Sequence, residues 1–142
     1  MSVYDVIPPE KRLYENKYFY VITDKYPVSP GHLLIVSKLE RRDYFDLSEA
    51  EQAELPWVIR KAKELIEGMV EKSAFEKMRK SDNDVSNVIT QKPDGFNIGI
   101  NCGEAAGQTI MHFHCHVIPR YKGDTPNPRG GVRHCIPGKG GY

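Results

Sequence analysis

The sequence predicts an α+β domain in which an antiparallel sheet of about five strands carries one long and one short helix. Strand-like runs of β-branched and aromatic residues lie on both sides of one long stretch with helical periodicity. The last two strands are joined by a link too short for a crossover, which indicates an antiparallel hairpin. The 142-residue chain is long enough for its own core and shows no repeat, so we expect one domain over residues 1–142.

The first half of the chain gives a short helical turn and two strands. We expect the turn within residues 4–14, with Pro8 and Pro9 near its start, where a missing N–H group costs least. Aromatic and β-branched residues predict a strand over 18–23. The apolar run 32–37 predicts a central strand that is buried on both faces.

The long helix has a clear start and an amphipathic stripe. Ser48 and Glu51 are spaced as in a capping box, and apolar residues then recur every three or four positions through 55–70. Pro56 lies inside this pattern and predicts a kink or a restart. Residues 73–93 are charged and irregular, so we expect an exposed connection there.

Two further strands and a tail complete the chain. We expect strands over 96–101 and 110–118, the first alternating between apolar side chains and the polar or small residues Asn97, Gly99 and Asn101. Residues 120–142 are rich in Gly and Pro and hold five basic residues against one acidic residue. This basic tail is expected to run over the surface.

Composition excludes several classes of protein. The net charge of +1 indicates neither a nucleic-acid partner nor a membrane surface. The first residues carry acids and prolines rather than an apolar core, and no apolar run is long enough to span a bilayer. Three cysteines without C-x-x-C spacing are typical of reduced thiols, so we expect a cytoplasmic protein.

The strand over 110–118 concentrates three of the five histidines of the chain. Because side chains alternate along a strand, His112, His114 and His116 share one face, opposite an apolar face. Three imidazoles together do not favour stability, since charging one disfavours charging the next. A solvent-facing strand, a zinc or iron site and a catalytic site all fit this pattern when it stands alone.

The residues around these histidines resemble a known signature. G-Q-T-I-M-H-F-H-C-H-V-I-P-R is similar to the signature of the histidine triad (HIT) family. D-K-Y-P-V-S-P-G-H-L-L-I-V and G-F-N-I-G-I-N-C-G resemble two further segments of that family, in the same order. The resemblance implies a HIT-like fold and a homodimer in which two sheets join into a larger one. The N-terminal cysteines of zinc-carrying members are absent, so we expect no metal site.

The resemblance also assigns roles to individual residues. His114 matches the nucleophile, and a backbone carbonyl, that of His112, is expected to hold its second nitrogen. The remaining residues of the implied site surround the phosphate, the leaving group and the ribose: His112, His116 and His32 around the phosphate, Asn101, Gln108 and Thr109 on the phosphate and leaving group, and Asp24 on the ribose.

Without the resemblance, simpler interpretations hold for the helper residues. Gln108 and Thr109 can cap the hairpin loop, and Asp24 before Pro27 is typical of a turn. His32 can be a core histidine whose nitrogens are bonded to protein groups.

The implied activity is that of a nucleotide hydrolase or transferase. It attacks the α-phosphate of a dinucleoside polyphosphate, such as diadenosine tri- or tetraphosphate, through a nucleotidyl-histidine, and releases nucleoside monophosphate. The nucleophile needs no cofactor, although Mg²⁺ can accompany the substrate phosphates. The alternatives are a purine nucleoside phosphoramidase of the same family, a nucleotide-binding module with incidental hydrolysis, and a metal enzyme. The basic tail is a candidate contact for the distal phosphates.

Overall fold

The computed structural model describes residues 2–79 and 89–142, which form one antiparallel sheet with one long α-helix packed against it. The strands lie in the order β1-β2-β3-β5-β4, and each is antiparallel to its neighbours. The predicted fold class is therefore confirmed. The bounds are β1 Tyr14–Glu15, β2 Phe19–Thr23, β3 Leu33–Ser37, β4 Gly95–Gly99, β5 His114–Arg120 and α1 Glu49–Arg79.

The N-terminal segment differs from the prediction of one short helix over 4–14. It forms two separate 3-10 turns, Val3–Val6 and Pro9–Lys11, and then enters the sheet as β1. Ile7 and Pro8 between the turns are extended, with ψ values of 119° and 149°. The physical reason is the proline pair, because a residue that precedes proline is excluded from the helical region.

The last strand is shifted along the chain relative to the predicted range 110–118. It begins at His114 and continues to Arg120. Its pairing with β3 starts at His114 opposite Val36, next to the end of β3. The Phe113 N–H donates instead to the carbonyl of Arg41 (2.6 Å), which lies in the loop that follows β3. His112 therefore precedes the strand rather than belonging to it.

Helix α1 begins as the sequence predicts and ends later. Glu51 N–H donates to Ser48 Oγ (3.1 Å), and Ser48 N–H donates to the Glu51 carboxylate (2.7 Å), which confirms the capping box. The helix runs through Pro56 without a break, so a restart there is wrong. It reaches Arg79, so residues 73–79 are helical rather than irregular. Their Glu, Lys, Ala, Met and Arg residues are good helix formers.

The rest of the predicted connection is only partly described. Residues 80–88 of the range 73–93 lie outside the described residues. Ile89 is only 2% exposed, which contradicts an exposed connection at that position. It packs against Gly31, where a Cβ atom would lie 2.5 Å from Ile89 Cδ1. The apolar side chain is therefore drawn into the core beneath the loop that precedes β3.

The two faces of the sheet carry different sets of side chains. One face packs on α1 through a cluster that includes Phe113, Cys115 and Val117 of the last strand segment. The other face, which we call the histidine face, bears His114 and His116 and a smaller apolar cluster. This cluster consists of Tyr4, Tyr20, Ile22, Leu34 and Val36.

The tail after β5 folds back onto the domain instead of only running over it. Its 3-10 turn Gly131–Cys135 contacts β4. The three cysteines are free thiols, and Cys115 among them is buried. Within residues 2–79 and 89–142, none of the helices combines the length and apolar character that crossing a bilayer requires.

Candidate active site

Four histidines meet on the histidine face. His114 and His116 have ring centroids 5.3 Å apart, and His116 lies 5.2 Å from His32, which ends the proline loop before β3. His112 is fully buried, His32 is 2% exposed and His114 is 9% exposed. The strand alternation and the β3–β5 pairing bring these residues together, as the motif predicts.

The ring of His114 is fixed in one tautomer by its own strand. Its Nδ1 lies 2.8 Å from the backbone carbonyl of His112. A carbonyl oxygen only accepts hydrogen bonds, so Nδ1 carries the proton and Nε2 keeps its lone pair. The expected backbone partner is thereby confirmed, and His114 presents one unprotonated nitrogen.

His112 supports His114 through its backbone, while its ring is bonded to the protein. Its Nε2–H donates to the Ser37 carbonyl (2.7 Å), and its Nδ1 accepts from the Ser2 hydroxyl (2.6 Å). Both nitrogens are thus occupied. The structure places His112 in a positioning role, because its carbonyl orients His114 and its ring has no nitrogen left for a phosphate.

His32 sets the tautomer of His116. The Val28 N–H donates to His32 Nδ1 (3.2 Å), so the proton of a neutral His32 lies on Nε2. That Nε2 is 2.9 Å from His116 Nδ1 and 3.2 Å from Asp24 Oδ2. With Nδ1 accepting, His116 carries its proton on Nε2. The interpretation of His32 as a histidine bonded to protein groups and its place beside His116 are therefore both correct.

Burial keeps the pair uncharged near neutral pH. The pKa of His116 is lowered to about 4, mainly by burial. The neighbouring His114 and His32 lower this pKa further, whereas the nearby Asp24 carboxylate raises it. The pKa of His32 is also lowered, again mainly by burial and against the opposing effect of Asp24. At neutral pH His116 is thus a neutral hydrogen-bond donor with a defined tautomer.

The carboxylate of Asp24 contacts both a turn and the histidines of the site. Its Oδ1 accepts the N–H of Tyr26 (2.8 Å), which is an Asx-turn, while its Oδ2 faces His32. The side chain is 14% exposed. The turn interpretation is therefore right for one oxygen, and the ribose contact of this residue stays a prediction.

The side chain of Gln108, in the loop between β4 and β5, is hydrogen-bonded to backbone groups of the protein. Gln108 Nε2 donates to the carbonyls of Arg42 (2.6 Å) and Ile110 (3.1 Å), and Oε1 accepts from Gly103 N–H (2.8 Å). The residue is 2% exposed. This is the loop-capping arrangement, and a side-chain contact with phosphate would require one of these bonds to break. Gln108 is accordingly a positioning residue in this structure.

Asn101 and Thr109 stand at the two ends of this loop, and both are exposed. Asn101 lies beyond the end of β4, so strand alternation alone no longer fixes the direction of its side chain. Their contacts with phosphate and leaving group stay predictions.

The N-terminal turn is the part of the site that the sequence analysis missed. The ring of Tyr4 lies 5.3 Å from the ring of His114 and 5.5 Å from that of His112. Ser2 caps this turn in a capping box with Asp5 and also bonds His112. The S-x-x-D spacing was a usable signal for the cap, but nothing local indicates that the turn covers the histidines.

Two groups of the described residues have donor atoms close enough for a cation. One consists of Asp24, His32 and His116. In that group the Val28 N–H holds the proton of His32 on the nitrogen that would ligate. The other consists of Asp5, Glu40 and His112, where His112 is bonded at both nitrogens. The hydrogen-bond pattern thus does not fit a resident metal in either group.

Comparison with known proteins agrees with this geometry. A family model described as HIT domain matches residues 7–123. The chain is 32% identical over 110 residues to a Mycobacterium tuberculosis protein named AP-4-A phosphorylase, a match over 77% of this chain and 46% of that protein. It is 31% identical over 113 residues to a Saccharomyces cerevisiae protein named bis(5'-adenosyl)-triphosphatase, over 80% of this chain and 45% of that protein.

A solved structure shows the same fold. A HIT family protein from Bacillus anthracis superposes with a TM-score of 0.59 at 30% identity, over 78% of this chain and 64% of that one. The chain spans less than half the length of the two enzymes named above. The match of the family model to most of the chain, the relatives and the His-x-His-x-His geometry agree: this chain belongs to the HIT domain family.

Proposed function

We propose that this chain is a nucleotide hydrolase or transferase that cleaves dinucleoside polyphosphates such as diadenosine tri- or tetraphosphate. The single observation that carries the proposal is the bond between His114 Nδ1 and the His112 carbonyl (2.8 Å), which leaves His114 Nε2 free to attack phosphorus. The names of the relatives from M. tuberculosis and S. cerevisiae support the substrate class.

In the first step His114 Nε2 attacks the α-phosphorus. An N–P bond forms, and the bond between that phosphorus and the bridging oxygen of the leaving group breaks, with its electron pair passing to the oxygen. The positive charge that develops on the imidazole is stabilised at Nδ1–H by the His112 carbonyl. His116 Nε2–H donates to the phosphoryl oxygens or to the departing oxygen.

In the second step an acceptor attacks the nucleotidyl-histidine. Water gives the nucleoside monophosphate, the N–P bond breaks, and His114 regains its lone pair. Inorganic phosphate as the acceptor would give the nucleoside diphosphate instead. Thr109 and Asn101 are proposed to contact the leaving group and phosphate, and Asp24 the ribose. Mg²⁺ in this scheme belongs to the substrate phosphates.

The proposal includes a homodimer in the cytoplasm. β4 is an edge strand of the sheet and is our candidate for joining two sheets, and the three free thiols are consistent with a reducing compartment. Size-exclusion chromatography with light scattering tests the dimer.

The direct test of the chemistry is mass spectrometry of wild type and His114→Ala after mixing with diadenosine triphosphate or adenosine 5'-phosphoramidate. We expect a nucleotidyl adduct or released monophosphate with wild type and neither with the variant. The faster compound distinguishes polyphosphate from phosphoramidate cleavage. Wild type that binds both compounds and cleaves neither would be a binding module, which contradicts the proposal.

A further inference from the structure

A cavity lies on the same face of the sheet as the histidines of the candidate active site. Its volume is about 510 Å³, within the range of small-molecule sites. Its floor includes Ile118 of β5 and Asn97 of β4, which pair with each other one step beyond the pair His116 and Gly99. Strand alternation puts all four residues on the histidine face.

The surface between the histidines and this cavity is open. Apart from Gly99 and its two chain neighbours, no heavy atom of the described residues lies within 4 Å of the position where a Cβ atom on Gly99 would stand. Gly99 pairs with His116, so this position lies beside the His116 side chain on the histidine face. His114 and Ile118 are four residues apart, roughly 13 Å along the strand. The three phosphates together with the ribose that follows them can cross this distance from His114.

Hydrogen bonds hold the walls of the cavity in place. The proline loop forms one wall and is tied to β5 by Ser29 Oγ, which donates to the Pro119 carbonyl (2.7 Å). Tyr121 Oη ties the same loop by donating to the Pro30 carbonyl (2.7 Å). The tail closes the opposite side with six residues: Asp124, Thr125, Asn127, Pro128, Gly131 and His134.

The lining suits an uncharged planar ligand better than a phosphate. The charge of Arg120 is balanced by Asp124, whose two oxygens accept from its Nε and Nη2 at 2.8 Å each. The third guanidinium nitrogen donates to Asn97 (2.6 Å). The remaining lining is apolar or neutral and polar, with Ile118 and Asn127 as examples. A nucleobase with its ribose has this chemistry.

We propose that this cavity binds the second nucleoside of a dinucleoside polyphosphate, the one that leaves with the distal phosphates. The inference rests on the proposed function and adds a specificity site to it. The tail also carries exposed basic residues, whose charge favours the approach of a polyphosphate. The site gives a reason for the tail to fold back onto β4.

The test compares diadenosine triphosphate with ATP, which has the same three phosphates and lacks only the second nucleoside. Thr125→Trp fills the cavity from the exposed tail, and Val132→Trp is the matched control, since Val132 is 67% exposed and does not line the cavity. We expect Thr125→Trp to lower kcat/KM for diadenosine triphosphate about tenfold, with kcat/KM for ATP unchanged. Val132→Trp should change neither value.

If Thr125→Trp leaves the ratio of the two kcat/KM values unchanged, the proposed subsite is overturned. If wild type cleaves neither compound, the proposed function fails, and equilibrium binding to His114→Ala then decides on the subsite. Diadenosine triphosphate should bind His114→Ala about tenfold more tightly than ATP does, and adding Thr125→Trp should remove that difference. Equal affinities for the two ligands would contradict the subsite independently of catalysis.

Discussion

The two ends of the histidine face are built differently. At the His112 end, the N-terminal turn covers the rings, and the protein bonds both nitrogens of His112 and one nitrogen of His114. At the Ile118 end, a cavity of about 510 Å³ stays open, and its walls belong to a loop and to the tail. The difference teaches that hydrogen bonds fix the orientation of the His114 ring, whereas the cavity that we propose for the leaving nucleoside is defined by the shape of a loop and the tail.

The strongest test of the pre-organised end is His114→Ala. We expect kcat to fall by about a thousandfold or more because the nucleophile is lost, while the free energy of unfolding falls by only about 1–2 kcal/mol because the His112 carbonyl loses its partner. Trp57→Ala is the control, since Trp57 is 66% exposed and lies on α1, which packs on the opposite face of the sheet. Initial rates and urea unfolding measure the two effects. Residual activity within tenfold of wild type would exclude His114 as the nucleophile.

The next largest effect is expected at the loop that carries His32. Gly31 has a φ of +92°, and a Cβ atom there would overlap Ile89, so Gly31→Ala should lower the free energy of unfolding by about 3 kcal/mol. Gly123→Ala isolates the backbone contribution, because its φ of +86° is similar and, apart from its two chain neighbours, no other described residue has a heavy atom within 4 Å of the added Cβ atom. That control should cost only about 1 kcal/mol. Equal losses in the two variants would show that the Ile89 contact is unimportant.

A smaller effect is expected from Ser2→Ala, which removes the hydroxyl from His112 Nδ1. The unpaired buried nitrogen should cost about 1 kcal/mol, and kcat should fall about fivefold with KM unchanged, because the His112 carbonyl orients His114. Ser2→Thr keeps the hydroxyl and should restore kcat. A Ser2→Thr variant as slow as Ser2→Ala would argue against the hydrogen bond as the cause.

A further expected effect is a pH dependence of stability. The pKa of His116 falls from 6.5 to about 4 on folding, so between these values the unfolded chain binds more protons than the folded chain. Stability should therefore decrease as the pH falls from 6.5 towards 4. His116→Gln should flatten this part of the curve measured by urea unfolding. An unchanged slope in the variant would assign the effect to other groups.

Prediction from the sequence succeeded where local pattern and tertiary environment agree. The alternation of histidine and apolar residues placed His114 and His116 on one face, and the capping box fixed the start of α1. The prediction of one helical turn over 4–14 failed because the proline pair divides the segment. The prediction of a strand that starts at Ile110 failed because the Phe113 N–H donates to a distant loop carbonyl. Helix α1 extended past residue 73 because good helix formers continue there without an apolar stripe.

The sequence by itself determined the fold class, the family signature and the residue types of the reaction centre, because these depend on spacing along the chain. Only the tertiary structure decided the tautomers of the histidines, the use of Gln108 inside its loop, the N-terminal turn over the triad and the cavity beside the tail. These features join residues up to about a hundred positions apart, such as Ser2 and His112. Hydrogen-bond partners at such separations are chosen by packing, which no local pattern records.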